Sequence, residues 1–260
     1  MRCNILYRCI FAIRLICQMD NQLKILISNC IFILVLFSVN AEEKVTKFDK
    51  GGFIDFNLYP KIKYESDSVF TVNIFSKLPF RFSYFSLSNF GNQTLKTELS
   101  ETNQYYTEQN IRWQIHSEIP IDITAQWNLR SGDVNDRIRF GFRWSLHKTK
   151  YLDKFFKTIA LSYSINYHAL QFDRESGYNS QLEHVYKFNL FKNLTYNRLY
   201  LAGFMDHSFG GLKDPKIVTE HQLGLRIIDQ FYIIFEFRYN GYRNDEEESY
   251  GAGVEYIIKW

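Results

Sequence analysis

IDITAQWNLR, residues 121–130, is the stretch that decides the fold. Ile121, Ile123, Ala125, Trp127 and Leu129 fall on every second position, and Asp122, Thr124, Gln126, Asn128 and Arg130 fill the places between. A helix would scatter both sets around its axis, whereas a strand turns them to opposite faces. The stretch therefore predicts a strand with one apolar and one polar face.

The pattern repeats outward from there. In DRIRFGFRWSL, residues 136–146, Ile138, Phe140, Phe142, Trp144 and Leu146 oppose Arg137, Arg139, Gly141, Arg143 and Ser145. In KTIALSYSINYHA, residues 157–169, Ile159, Leu161, Tyr163, Ile165 and Tyr167 oppose Ser162, Ser164, Asn166 and His168. In QFYIIFEFRYN, residues 230–240, Phe231, Ile233, Phe235, Phe237 and Tyr239 oppose Glu236, Arg238 and Asn240. Weaker alternation runs over 52–59, 69–75, 80–87, 107–116, 181–191, 198–206 and 218–227, and a last strand over 250–260. That predicts about twelve strands, many near the roughly 9–11 residues that cross a bilayer at a tilt.

A soluble β-sandwich also alternates. Three features favour a closed transmembrane barrel. The polar faces are rich in Ser, Thr, Asn, Gln and Gly with charges of both signs, as a wet lumen would be. The apolar faces are aromatic, with Tyr and Trp towards strand ends, as at a membrane interface. The connections also alternate in length: SKLP, SEIP and IDQ are tight, whereas those near 88–106, 170–180, 207–217 and 240–249 are longer. A bilayer offers no water to an open sheet edge, so the sheet must close. The expected fold is an all-β, antiparallel, up-and-down barrel over residues 52–260. The one long connection on the tight side, HKTKYLDKFFK, predicts a short interfacial helix with Tyr151, Phe155 and Phe156 on one face, or else a solvated basic loop.

The N-terminus carries its own signal. ILISNCIFILVLFSV, residues 25–39, follows Lys24 and precedes VNAEEK. A basic start, an apolar run and small residues at its end predict a secretory signal peptide cut after Ala41; an uncleaved anchor is the alternative. Residues 1–41 are read as an upstream extension plus signal, with Met19 the expected start, and residues 42–51 as a short periplasmic segment. Cys3, Cys9, Cys17 and Cys30 all precede the cut. The mature chain then has no thiol for catalysis, zinc or disulfides. A formal net charge of +3 over 260 residues argues against nucleic-acid binding driven by bulk charge. Aromatics reach 18%, with 24 Phe and 18 Tyr, which fits neither a disordered chain nor a helical membrane protein.

In its signal segment, its alternating strands and its final stretch YGAGVEYIIKW, the mature chain resembles the Gram-negative outer-membrane β-barrels. Ala252, Val254, Tyr256, Ile258 and Trp260 alternate outward. In that family a last strand ending in an aromatic residue is the assembly signal; members usually end in Phe, and here Trp260 stands in that place. The resemblance implies residence in the outer membrane among lipids and lipopolysaccharide. It also implies recognition of Tyr256, Ile258 and Trp260 by the barrel-assembly machinery.

Barrels of this size include narrow solute channels and membrane lipid hydrolases. For a channel, Arg112, Arg130, Arg137, Arg139 and Arg143 are expected on one lumen wall, facing Glu220, Glu236, Arg238 and Glu255 on the other. Such a field orients dipolar or anionic solutes, and the planar guanidinium suits carboxylates and phosphates. The same groups could instead brace a plugged barrel with a surface-binding role, since about eight strands give a filled interior and about sixteen an open one. For a hydrolase, Asp206, His207 and Ser208 are adjacent and so point to opposite faces; the His-x-Ser pairs of the lipid hydrolases are missing. A metal would have to draw on Asp206, His207, Asp214 and Glu220 or on the RNDEEES loop. Neither set has a specific spacing, and no metal or cofactor is expected.

Overall fold

A computed structural model describes residues 51–62, 68–91, 104–131, 136–172, 179–209, 216–242 and 247–260. Residues 1–50, with the expected signal peptide, lie outside them, as do most of the 88–106 connection and RNDEEES through Glu246. The alternation becomes twelve strands: β1 (Gly52–Ile62), β2 (Ser68–Lys77), β3 (Phe82–Gly91), β4 (Gln104–His116), β5 (Ile119–Arg130) and β6 (Arg137–Trp144), then β7 (Leu161–Phe172), β8 (Ser180–Asn189), β9 (Leu199–Phe209), β10 (Lys216–Ile228), β11 (Phe231–Asn240) and β12 (Glu248–Lys259). Each pairs antiparallel with its sequence neighbours, and β1 pairs with β12, so the sheet closes as an up-and-down barrel. Gly52 and Trp260 exchange both backbone bonds, 3.1 Å and 3.2 Å, at the seam.

Partners directly opposite across an antiparallel ladder share a face, so the register assigns every side chain. The polarity is the reverse of a soluble protein's. Thr124, Gln126, Asn128 and Arg139 point inward and are buried, while Ile138, Phe140, Phe142 and Trp144 point outward at 42–50% exposure. Apolar surface left in water costs about 25 cal/mol per Å²; in hydrocarbon the same surface costs nothing. A closed sheet with an apolar belt and a polar interior is the form in which strands cross a membrane.

Three local features depart from the sequence expectations. The connection after β6 does hold a helix, α1 (Asp153–Thr158), preceded by a 3₁₀ turn at Leu146–Lys148. Its aromatics do not share one face, however: Phe156 is buried and stacked on Tyr163, whereas Phe155 and Tyr151 stand out at 59% and 81% exposure. Tyr151 precedes the helix at φ 75°, which removes it from the helical spacing. In β7 the parity switches after Tyr167: Tyr167 opposes Phe142, but Leu170 opposes Phe140, so a bulge lies between. Finally, β3 begins at Phe82, because Phe80 and Arg81 (φ 59° and 66°) form the turn itself. Left-handed conformation at both central residues matches hairpin twist.

The barrel interior also has an apolar side. Tyr59, Tyr200, Tyr232, Ile234 and Ile257 point inward from β1, β9, β11 and β12 and form a buried cluster. The ring of Tyr200 lies where a side chain at Gly224 would be. Two of its hydroxyls meet carboxylates: Tyr59 donates to Glu236, and Tyr200 donates to Glu255 at 2.6 Å.

Candidate functional site in the lumen

Inward-facing side chains enclose a cavity of about 1210 Å³. Its lining reaches from His147 and Lys148, at the end of the barrel where Gly52 pairs with Trp260, to Tyr242 and Glu247 at the other end. Arg112, Arg130, Arg137, Arg139 and Arg143 all line it, from β4, β5 and β6. Arg139 donates to Gln126 and Gln171, both at 2.8 Å, and Arg143 reaches Ser164 Oγ at 3.4 Å. Arg130 lies 5.3 Å from the Tyr106 ring centroid and Arg112 lies 5.2 Å from that of Phe85.

On the far wall Glu220, Arg238 and Glu255 line the same cavity. Glu236 is different: it is 2% exposed and bonded to both Tyr59 and Arg238. Arg238 also contacts Glu220 at 3.3 Å. These three therefore brace one another, and Glu236 presents no free carboxylate to the passage.

The arginine wall is interleaved with acids that the sequence reading left out. Glu108, on β4 beside Arg112, accepts from Asn110 at 2.9 Å. Asp122 opposes Arg143 across the β5–β6 ladder, and Glu183 opposes Asp206 across β8–β9. Asn166 donates to Glu183, and His168 Nε2 lies 3.9 Å from it. Their parity was available: Glu108 shares a face with Asn110 and Arg112, and Asp122 with Thr124 and Gln126. A contrast drawn between a basic and an acidic wall hid them. The field across the lumen is carried by interleaved pairs more than by two opposed sheets of charge.

Two further groups point the unexpected way. On the outer wall, Gln109 donates to Ser86 at 2.9 Å and Thr107 at 2.6 Å, accepts from Tyr84, and Ser88 meets Thr107 at 2.9 Å. Also outward are His184, bonded to Tyr163 at 2.6 Å, and His221, bonded to Tyr186 at 2.7 Å. Hydrocarbon supplies no hydrogen bonds, so each polar group outside the barrel needs such a neighbour. His207 opposes outward Leu182, while Asp206 and Ser208 face inward, so Asp206, His207 and Ser208 form no relay. The same split separates His207 from Asp206 and Glu220 as metal ligands. Asp214 lies outside the described residues.

No family model matches the sequence. No curated protein matches it either. Among solved structures, similarity is found to a KdgM porin at 13% identity and TM-score 0.46, covering 79% of this chain and 98% of that one. A NanC porin matches at 10% identity and TM-score 0.46, covering 80% and 99%. A mutant of the Rh. blastica porin matches at 11% identity and TM-score 0.35, covering 73% of this chain and 55% of that one.

Proposed function

We propose that this chain is an outer-membrane channel for small polar and anionic solutes. The supporting observation is a continuous cavity, lined mostly by polar residues, whose walls include residues from both ends of the barrel. Arg112, Arg130, Arg137 and Arg143 give that cavity its guanidinium donors, Arg139 being tied to Gln126 and Gln171, and Glu220, Glu255, Glu108 and Asp206 line it with carboxyl groups. A solute carboxylate or phosphate moving along the arginines exchanges hydration water for guanidinium bonds and passes from one fork to the next. Export by the N-terminal signal, insertion by the barrel-assembly machinery through Tyr256, Ile258 and Trp260, and contact with lipopolysaccharide complete this reading.

A plugged barrel is the second reading. It draws on Asn110, Thr124, Gln126, Asn128, Asn166 and His168, which point inward and are only 1–2% exposed. Planar-bilayer recording separates the two. The channel reading expects discrete conductance steps with anions favoured in the reversal potential. Replacing Arg137, Arg139 and Arg143 together by alanine should shift that potential towards cations. A wild-type barrel that stays closed in the bilayer, or an unchanged potential in the triple variant, would overturn the channel reading.

A further inference from the structure

The wall formed by β1, β2 and β3 breaks the rule that apolar residues face lipid. Phe53 opposes Phe75 and Phe75 opposes Phe85, so the three rings stand in one row, and all three line the cavity. Phe53 and Phe75 stack at 5.9 Å with 29° between planes. Each ring is only half-buried. Phe53 packs on the buried tyrosine cluster, but Phe75 and Phe85 are not part of it.

Half-exposed phenyl rings in a wet passage carry a hydration cost that outward placement would have removed. The register spends outward positions on Ser86 and Ser88 instead, and ties them into the Gln109 network. At the end of the row Arg112 covers Phe85 at 5.2 Å. Arg112 is 7% exposed, and its Nε has no hydrogen-bond partner among the described residues. A flat apolar shelf beside an arginine that lines the same cavity is a recognition surface. It complements a ligand with a flat C–H or aromatic face at one position and an anion at the next.

We propose that Phe53, Phe75 and Phe85, with Arg112 at their edge, form a lumen subsite for ring-bearing carboxylates. A ring lies on the phenyl row while its carboxylate takes the Arg112 fork. An open-chain carboxylate of the same charge finds the fork but not the shelf. This inference rests on the channel reading for its role in passage, though binding itself does not require conduction. The shared chemistry has two sources, a sugar acid in its pyranose form and an aromatic acid.

The test uses matched pairs on the full-length protein in planar bilayers: glucuronate against open-chain gluconate, and benzoate against hexanoate. Retention is read as dwell time in current blockades. The ring member of at least one pair should dwell roughly three- to tenfold longer; which pair responds tells sugar acid from aromatic acid. Phe75→Leu/Phe85→Leu keeps apolar volume and loses the flat faces, so it should abolish the ring preference in both pairs. Arg112→Gln should shorten glucuronate dwell and leave that of neutral methyl glucoside unchanged. Equal dwell in both pairs, or a ring preference that survives Phe75→Leu/Phe85→Leu, would overturn the subsite. If the barrel does not conduct, the channel reading fails by itself, and titration calorimetry of the same pairs with detergent-folded protein decides the subsite separately.

Discussion

Gly141 sits on β6 facing the lumen, beside the β7 bulge. A Cβ there would run into the carbonyl oxygen of Tyr167 and the backbone of His168. The bulge brings β7 backbone against β6, and only hydrogen fits. Gly141→Ala should therefore lower stability by about 1–3 kcal/mol, the usual cost of overpacking, read as an earlier midpoint in urea unfolding from liposomes. At this scale the sequence was partly legible. The inward arginines follow directly from strict alternation in 121–146, where both faces are chemically distinct. FSYFSLSNF in β3 is not legible in that way, because Ser and Phe both occur on both parities. Its orientation is set by pairing: Asn73 opposes Leu87 and Gln109 opposes Ser86. Those partners lie 14 and 23 positions away in the chain, beyond the reach of local periodicity.

Elements were easier to read than their ends. The strands of 121–130 and 137–144 emerge nearly as expected, since period-two patterning survives any small error in boundary. The connection after β6 was readable as either helix or loop because its lysines and aromatics fit both; packing of Phe156 on Tyr163 decides for the helix. That foot has a pH dependence. His147 lies in the 3₁₀ turn, with Nδ1 2.8 Å from the Tyr163 carbonyl. Burial is the main cause that pushes the proton affinity of His147 below the ordinary histidine value; the Tyr163 backbone bond opposes it, and Lys148 and Arg143 add to it. With its pKa depressed, the folded foot binds fewer protons than the unfolded one, so its stability rises with pH. The contribution is complete above the ordinary histidine range and is lost as pH falls through it. Hydrogen exchange over residues 146–160 should quicken on acidification, and His147→Asn should flatten that response.

The final strand supplies a second prediction at the element scale. Trp260 places its ring over Gly52, where a Cβ would collide with it. If Trp260 also acts as the assembly signal, Trp260→Ala should reduce the folded barrel recovered from cells far more than it slows unassisted refolding into liposomes. Heat-modifiable gel migration measures both. Equal losses in the two settings would leave Trp260 as a packing residue alone.

At the scale of the whole molecule, closure and inverted polarity were the most legible features. They depend on the summed alternation of many strands, so no single misplaced residue can hide them. The contents of the lumen were less so, because they depend on which inward groups meet across the barrel. Glu236 shows the difference. Its parity was correct, yet contact with Tyr59 and Arg238 takes it out of the passage.

The seam between β1 and β12 has a consequence in time. A ribosome delivers β1 first and β12 last, and these are the strands whose backbones must meet. Until the last residues emerge, every intermediate has two unpaired edges and an apolar outer face. Such species invite edge-to-edge association. The ring cannot be finished piecemeal during synthesis, because its first and last strands must be present together. Order of manufacture and order of assembly are thereby separated, and the interval between them is when open edges can meet those of another chain.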